Sequence, residues 1–142
     1  MNAPLPDTVM TTDEITLFLE QEFPQHIGHV VRLGKNTADM RLDVSDDHLR
    51  PGGTVSGPTM MALADVCLYV AILAQIGPVA LAVTTSLNIN FLRKPVPEKA
   101  ILAQARLLKL GKRLAVGEIS IFSEGEEEPV AHVTATYSIP PR

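Results

Sequence analysis

One acidic residue stands in the most apolar stretch of the chain. Residues 58–76 read PTMMALADVCLYVAILAQI, and Asp65 is the only charged side chain among them. Burying a carboxylate among aliphatic side chains costs free energy unless hydrogen bonds satisfy it or a reaction uses it. Asp65 is therefore either a structural aspartate that accepts hydrogen bonds from a neighbouring loop, or a general base or nucleophile. The residues alone leave both interpretations open.

A second feature is the start of this stretch, where Ser56 and Gly57 precede Pro58. Serine suits the N-cap of a helix and proline suits its first turn. The first backbone N–H groups of a helix have no partners within the helix and lie at the positive end of its dipole, so they can stabilise an oxyanion. Gly57 would let a ligand approach the backbone closely. An ordinary capped helix start has the same pattern.

The distance between these two features has a consequence. Asp65 lies eight residues after Gly57, which is a rise of roughly 12 Å along a helix. One small reacting group cannot readily touch both within a single chain. Two chains with their helices side by side could pair Gly57 of one with Asp65 of the other. We therefore expect a site shared across a two-fold dimer.

Basic residues cluster later in the chain. Residues 93–113 hold seven of the twelve basic residues and one acid, so this segment carries +6 in a chain of net charge −4. The seven are Arg93, Lys94, Lys99, Arg106, Lys109, Lys112 and Arg113. The strand end at Arg93-Lys94 and the turn that contains Lys112-Arg113 could present cations to phosphate groups. A solvated face is the alternative.

The composition excludes several classes of protein. The chain has 142 residues, of which 46% are hydrophobic and only 4% aromatic, so we expect one domain with an aliphatic core and few aromatic residues in any pocket. The net charge of −4 and the lack of interleaved aromatic residues argue against a nucleic-acid binder. A single cysteine excludes an intrachain disulfide, and neither it nor the histidines have the spacing of metal ligands. Because no secretory signal is visible at residues 1–10, we expect the cytoplasm.

The elements that must position these residues follow from hydrophobic periodicity and proline positions. In chain order they are a leader with a short amphipathic helix (1–25), two short strands (29–44), a polar loop (45–57), the apolar helix (58–76), a strand (81–91) and three further β-rich runs (99–110, 113–123 and 129–139). The alternation in 81–91 predicts one face made of Leu81, Val83, Thr85, Leu87, Ile89 and Phe91. We predict a single α+β domain over residues 1–142, in which a curved antiparallel sheet holds one buried helix.

The apolar run also raises the alternative of a membrane span. Residues 60–83 nearly supply the length that a transmembrane helix needs. However, Asp65 would then lie inside the bilayer, Gly77-Pro78 interrupts the run, and the flanks lack a strong asymmetry of positive charge. We therefore favour the core helix of a domain that neither enters a membrane nor binds one.

The order of the segments PGGTVSG, MMALADVCLYVA and VTTSLNINFLRKP resembles the hotdog-fold thioesterases, and most closely their PaaI-like, phenylacetate-degradation branch. The resemblance covers about residues 26–139. It implies a hotdog fold, a homodimer joined through the sheet edges that often pairs into a homotetramer, and hydrolysis of acyl-CoA thioesters to free acid and CoA. It implies no metal and no organic cofactor, with the CoA moiety arriving as part of the substrate.

The resemblance also implies roles for individual residues. Asp65 matches the nucleophile or general base, and Gly57 matches the amide of the partner subunit that polarises the thioester carbonyl. Thr84 matches a small hydroxyl residue that positions water or the acid. The predicted substrate-binding set is Arg50, Ser56, Asn88, Arg93, Lys94, Lys112 and Arg113, and the two basic pairs in it resemble the region that meets the nucleotide part of CoA.

The loop before the helix departs from the family pattern Asn-x-x-Gly-x-x-His-Gly-Gly. The matching positions here are Arg50, Gly53, Ser56, Gly57 and Pro58. Arg50 therefore replaces the asparagine that often orients water, Ser56 replaces the histidine, and Pro58 removes one backbone donor. These departures keep a second hypothesis open, a non-catalytic hotdog protein that binds acyl-CoA or an acyl carrier. A dehydratase of the same fold ranks last, because it needs a catalytic histidine where Ser56 stands.

Overall fold

The computed structural model describes residues 7–141 of the chain. In chain order the elements are α1 (Thr12–Glu22), β1 (His29–Gly34), β2 (Thr37–Leu42), a short 3-10 helix (Asp46–His48), α2 (Gly57–Ile76), β3 (Val83–Phe91), β4 (Ile101–Leu110), β5 (Leu114–Ser123) and β6 (Ala131–Ser138). The predicted helices and strands are all present, with ends that differ by a few residues. The part of the predicted leader before residue 7 lies outside the described residues.

The six strands form one antiparallel sheet in the order β1-β2-β4-β5-β6-β3. Helix α2 packs on one face of this sheet, and the core between them is aliphatic. Leu68 and Ile72 of the helix are fully buried, as are Ile119 and Ile121 of β5. The predicted α+β architecture, a curved antiparallel sheet around one long helix, is confirmed.

Helix α2 begins and ends as its sequence predicts. The Ser56 hydroxyl accepts a hydrogen bond from the Thr59 N–H at 3.2 Å, Pro58 occupies the first turn, and the helix stops at Gly77, whose φ of 101° favours glycine. By length and composition α2 could cross a membrane, but 67% of its most apolar window is buried inside the domain. Its hydrophobicity is that of a core helix.

Strand β3 departs from the predicted alternation, because a β-bulge lies between Thr84 and Ser86. The extra residue reverses the faces at that point. After the bulge Leu87 and Ile89 pack against the core, as predicted. Before it the prediction is wrong: the Thr84 side chain points to α2, whereas Val83 is 55% exposed. The bulge therefore places a hydroxyl, rather than an aliphatic side chain, beside the helix.

Candidate active site

Asp65 lies half-buried on α2 and receives hydrogen bonds from two hydroxyl groups. Its Oδ1 accepts from Thr84 Oγ1 at 2.6 Å and from the Tyr137 hydroxyl at 2.8 Å. The Tyr137 hydroxyl also lies 2.9 Å from the Asp65 backbone oxygen. The other carboxylate oxygen, Oδ2, accepts no hydrogen bond from residues 7–141 and is not sealed from solvent. One oxygen is thus fixed while the other remains free to react.

The two donors are brought together by strand pairing. Thr84 of β3 is the register partner of Tyr137 on β6, and Tyr137 continues the inward-facing positions Val133 and Ala135. Burial raises the pKa of Tyr137, and the negative charge of Asp65 raises it further. The hydroxyl therefore stays protonated and continues to donate to the carboxylate.

Sequence reasoning missed Tyr137, although a signal for it exists. The chain has only two tyrosines, and this one stands at an inward position of a strand that is otherwise aliphatic on that face. A buried tyrosine hydroxyl needs a hydrogen-bond partner. What the alternation could not supply is the identity of that partner, which lies 72 residues away.

Asp65 opens into a pocket of about 360 Å³ with aromatic walls. The lining residues are Glu22, Phe23, Asp65, Tyr69, Ala80, Ala82, Val83, Thr84 and Tyr137. The Tyr69 ring stacks on the Tyr137 ring at a centroid distance of 6.1 Å, and the Phe23 ring meets Tyr69 edge-on at 6.3 Å. The expectation of few aromatic residues in any pocket is wrong here, because three of the six aromatic side chains gather at this one.

The start of α2 lines a second pocket, of about 450 Å³. It brings together Gly57 and three predicted substrate-binding residues, Arg50, Arg93 and Lys94. The Gly57 N–H donates to no acceptor within the described part of the chain. A side chain at Gly57 would begin 3.0 Å from the Phe91 ring, so the close approach of this ring favours glycine here.

Gly57 and Asp65 do not share a pocket within one chain. This arrangement agrees with the separation expected from their spacing along the helix. Ser56 also lies at the helix start, but its hydroxyl is engaged in the cap, where it donates to Thr59 Oγ1 at 2.8 Å. Asn88, predicted to bind substrate, lies exposed on the face of β3 opposite to the inward Leu87 and Ile89, and it lines neither pocket.

The basic residues of segment 93–113 are near one another in sequence but do not gather in one place within a folded chain. Strands β3 and β5 both pair antiparallel with β6 and therefore run in the same direction. Arg93-Lys94 follows the end of β3, whereas Lys112-Arg113 precedes the start of β5. The two pairs thus lie at opposite ends of the sheet, about 25 Å apart over the length of β6. Ion pairs with Glu128 and Glu118 also engage Arg93 and Arg106.

The candidate site offers no donor set for a metal ion. Across residues 7–141, no group of three or more histidine, cysteine, aspartate or glutamate side chains is arranged to hold one. The thiol of Cys67 is buried and donates to the Ala38 carbonyl oxygen at 3.3 Å, and burial raises its pKa. The reactive group that the Asp65 pocket does present is the carboxylate held by Thr84 and Tyr137.

Comparisons with known proteins agree with this fold. The family model for the Thioesterase superfamily matches residues 52–130. A crystal structure of a protein from Silicibacter sp. TM1040, provisionally named a thioesterase, is 54% identical over 94% of each chain, with a TM-score of 0.87. A variant of the phenylacetic acid degradation protein PaaI from Thermus thermophilus is 28% identical over 87% of this chain and 99% of its own, with a TM-score of 0.70.

A thioesterase from Haemophilus influenzae shares the fold at 21% identity, over 97% of this chain and 96% of its own, with a TM-score of 0.83. Among curated proteins, no sequence matches this chain significantly. The family match covers more than half of the chain, and the 54% identical relative covers nearly all of it. The chain therefore belongs to the thioesterase superfamily, within the hotdog-fold family whose general activity is the hydrolysis of thioesters.

Proposed function

We propose that this protein hydrolyses acyl-CoA thioesters to a free acid and CoA, at an active site completed by a second copy of the chain. The observation that carries the proposal is the Asp65 carboxylate. It is held through Oδ1 by Thr84 and Tyr137, and its Oδ2 is left open to a pocket large enough for an acyl group. A fixed, partly desolvated carboxylate is suited to general-base or nucleophilic chemistry.

Hydrolysis breaks the carbon–sulfur bond of the thioester, takes one proton from water and delivers one proton to the CoA sulfur. In the general-base route, Oδ2 takes a proton from water as the water oxygen bonds to the thioester carbon. In the nucleophilic route, Oδ2 attacks that carbon and water later hydrolyses the resulting anhydride. In both, the carbon–sulfur bond breaks and the CoA sulfur leaves as the thiolate, which takes up a proton. In either route, Thr84 and Tyr137 hold the Asp65 carboxylate in position.

The oxyanion that forms on the carbonyl needs a hydrogen-bond donor aimed at it. The Gly57 N–H is such a donor, since it lies at the positive end of α2 without an acceptor in the described chain. Within one chain it lines a different pocket from Asp65. We therefore assign this role to Gly57 of a second copy.

The second copy is best accommodated along β3. This strand is at the edge of the sheet, so its outer backbone groups lie open to pairing. Its flanks carry exposed apolar side chains, among them Leu81 at 76% and Phe91 at 52%. Pairing of two β3 edges would cover these side chains and bring the two helices side by side, and two such dimers would give a tetramer.

The CoA part of the substrate has a suitable surface beside Gly57. Arg50, Arg93 and Lys94 line that pocket, and no acidic residue in the described part of the chain does. Guanidinium and ammonium groups suit the phosphates of CoA. At the far end of the sheet Lys112 and Arg113 line a small pocket with Pro140 and Pro141, and they could reach CoA only when it is bound by another copy.

Release of free thiol tests the proposed activity. The purified protein is incubated with acetyl-, butyryl-, hexanoyl- and benzoyl-CoA, and a chromogenic thiol reagent follows the release of CoA. We expect enzyme-dependent thiol release from at least one of these substrates. Heat-denatured protein serves as the control, and the absence of release from the whole panel would overturn the proposal.

A non-catalytic binder of acyl-CoA is the second candidate. It is favoured by Arg50, which stands where the family has asparagine, and by Ser56, whose hydroxyl is used up in the helix cap. Neither residue can supply the group that it replaces. For this candidate, calorimetry would detect binding of the same acyl-CoA panel, and no thiol would be released.

Tyr137 of strand β6 connects the sheet to the Asp65 carboxylate through a hydrogen bond. We expect Tyr137→Phe to lower kcat for hydrolysis about 10-fold and to destabilise the fold by about 1 kcal/mol, because Asp65 loses one of its two side-chain donors. Steady-state kinetics and denaturant unfolding measure the two effects.

Tyr69→Phe is the matched control, since its hydroxyl donates to the Ala80 backbone oxygen at 3.1 Å and not to Asp65. It should cost similar stability with a much smaller loss of kcat. Equal losses of kcat in the two variants would show that Tyr137 acts only through packing.

A further inference from the structure

The two pockets that line the proposed site have opposite charge. Among residues 7–141, the helix-start pocket is lined by three cations, Arg50, Arg93 and Lys94, and by no acid, although Arg93 also pairs with Glu128 outside the pocket lining. Nine of the described residues line the Asp65 pocket, and of these Asp65 and Glu22 are acidic and none is basic. If the nucleotide part of CoA occupies the cationic pocket, the acyl group faces the anionic one.

Glu22 lies in the last turn of α1, directly before Phe23. The Phe23 ring packs edge-on against Tyr69, which places α1 against the aromatic wall. Burial raises the pKa of Tyr69, and the charge of Glu22 raises it further. Glu22 is exposed, so its carboxylate stands at the open side of this wall.

The hydroxyl groups of the pocket offer nothing to a negatively charged ligand, because each already donates elsewhere. Thr84 and Tyr137 donate to Asp65, and Tyr69 donates to the Ala80 backbone oxygen. An acyl group that ends in a carboxylate would therefore meet two like charges, and no cation or unused hydroxyl among the lining side chains. Burying such a group without a partner is costly.

We propose that the Asp65 pocket receives neutral acyl groups and selects against acyl groups that end in a carboxylate, with Glu22 as the residue that determines this selectivity. The inference rests on the proposed acyl-CoA function and adds the class of acyl group to it. Selectivity of this kind comes from a repulsive element built against the wrong ligand. Because Glu22 is exposed, the selectivity should weaken as salt screens its charge.

Butyryl-CoA and succinyl-CoA test the proposal, since their four-carbon acyl groups differ by the terminal carboxylate. We expect the wild-type protein to favour butyryl-CoA by about 10-fold or more in kcat/KM. Glu22→Gln should lower the ratio of kcat/KM for butyryl-CoA to kcat/KM for succinyl-CoA about 3-fold, and Glu22→Lys should lower it about 10-fold. The change should come mainly from a lower KM for succinyl-CoA. A lysine at this position suits the C-terminal end of a helix, so the variant should fold.

Glu20→Gln is the matched control, because Glu20 lies on the same helix, is exposed and does not line the pocket. It should keep both the wild-type rates and the wild-type preference. Equal hydrolysis of the two substrates by the wild type, or an unchanged preference in both Glu22 variants, would overturn the proposal.

A binding measurement separates this inference from the proposed function. If neither substrate releases thiol, the proposed hydrolysis fails, and the same comparison is made by calorimetry as a ratio of Kd values. A preference for butyryl-CoA that narrows in Glu22→Lys would then support the charge selectivity of a binder. Equal affinities, or no binding of either thioester, would overturn the selectivity as well.

Discussion

Replacement of Asp65 by asparagine should lower acyl-CoA hydrolysis by about 10²- to 10⁴-fold while the fold is retained. The amide has the same shape as the carboxylate, and its oxygen can still accept from Thr84 and Tyr137, as Oδ1 does. A neutral amide, however, can neither take a proton from water nor attack a thioester carbon. The loss should therefore appear in kcat, with little change in the binding of CoA.

The measurement is thiol release by wild-type and Asp65→Asn proteins, together with calorimetric titration of CoA and a thermal unfolding curve. Asp47→Asn is a suitable control, since it makes the same chemical change at an exposed residue of the short 3-10 helix before α2. It should leave all three readouts near their wild-type values. Hydrolysis by Asp65→Asn at the wild-type rate would refute the role given to Asp65.

Two inactive variants should restore activity when they are combined in one dimer. If each site uses Asp65 of one chain and Gly57 of the other, a mixed dimer of Asp65→Asn and Gly57→Val chains carries both changes in one site and neither in the other. Random assembly makes about half of the dimers mixed, so about a quarter of the wild-type activity should return. Each variant alone should be nearly inactive.

The Gly57→Val variant is chosen because its side chain would contact the Phe91 ring beside the start of α2. A Cβ at this position lies 3.0 Å from the Phe91 ring, and that ring is half-exposed and can move aside. The branched side chain adds bulk to the pocket beside the N–H that is proposed to bind the oxyanion. Helix α2 should still form, because its cap at Ser56 is untouched.

Mixed dimers are prepared by co-expression with two different tags and tandem purification, which also shows whether the chains associate. The control is a homodimer in which both chains carry both substitutions, and it should be inactive. Isolated mixed dimers that release no thiol, although each chain is folded, would contradict a site shared between two copies.

The parts of this molecule that could be predicted are those with a strong local pattern. Helix α2 is apolar on nearly every face between a serine cap and a Gly-Pro stop, and strand β5 alternates without interruption. Asp65 is recognisable because it is the one charge in that helix. The spacing from Gly57 to Asp65 also predicts that one chain keeps them apart, and they do line separate pockets.

The parts that could not be predicted depend on strand register. The bulge after Thr84 decides which side of β3 faces the helix, and no residue type in that strand predicts the bulge. Pairing across β3 and β6 then selects Tyr137 as the second donor. The basic pairs at 93–94 and 112–113 are close in sequence, but the direction of the strands carries them to opposite ends of the sheet. Proximity in sequence is a poor guide to proximity in an antiparallel sheet.

The contact between Tyr137 and Asp65 also bears on how the chain folds. It joins residues 72 positions apart, whereas Thr84 and Asp65 are 19 apart. The longer separation carries the higher entropic cost of loop closure, although this cost grows only slowly with length. A chain in which α2 has formed but β6 has not yet docked therefore holds its carboxylate without the tyrosine. The complete hydrogen-bonding environment of the carboxylate therefore depends on the long-range pairing of β3 with β6, and not only on the helix that carries the acid.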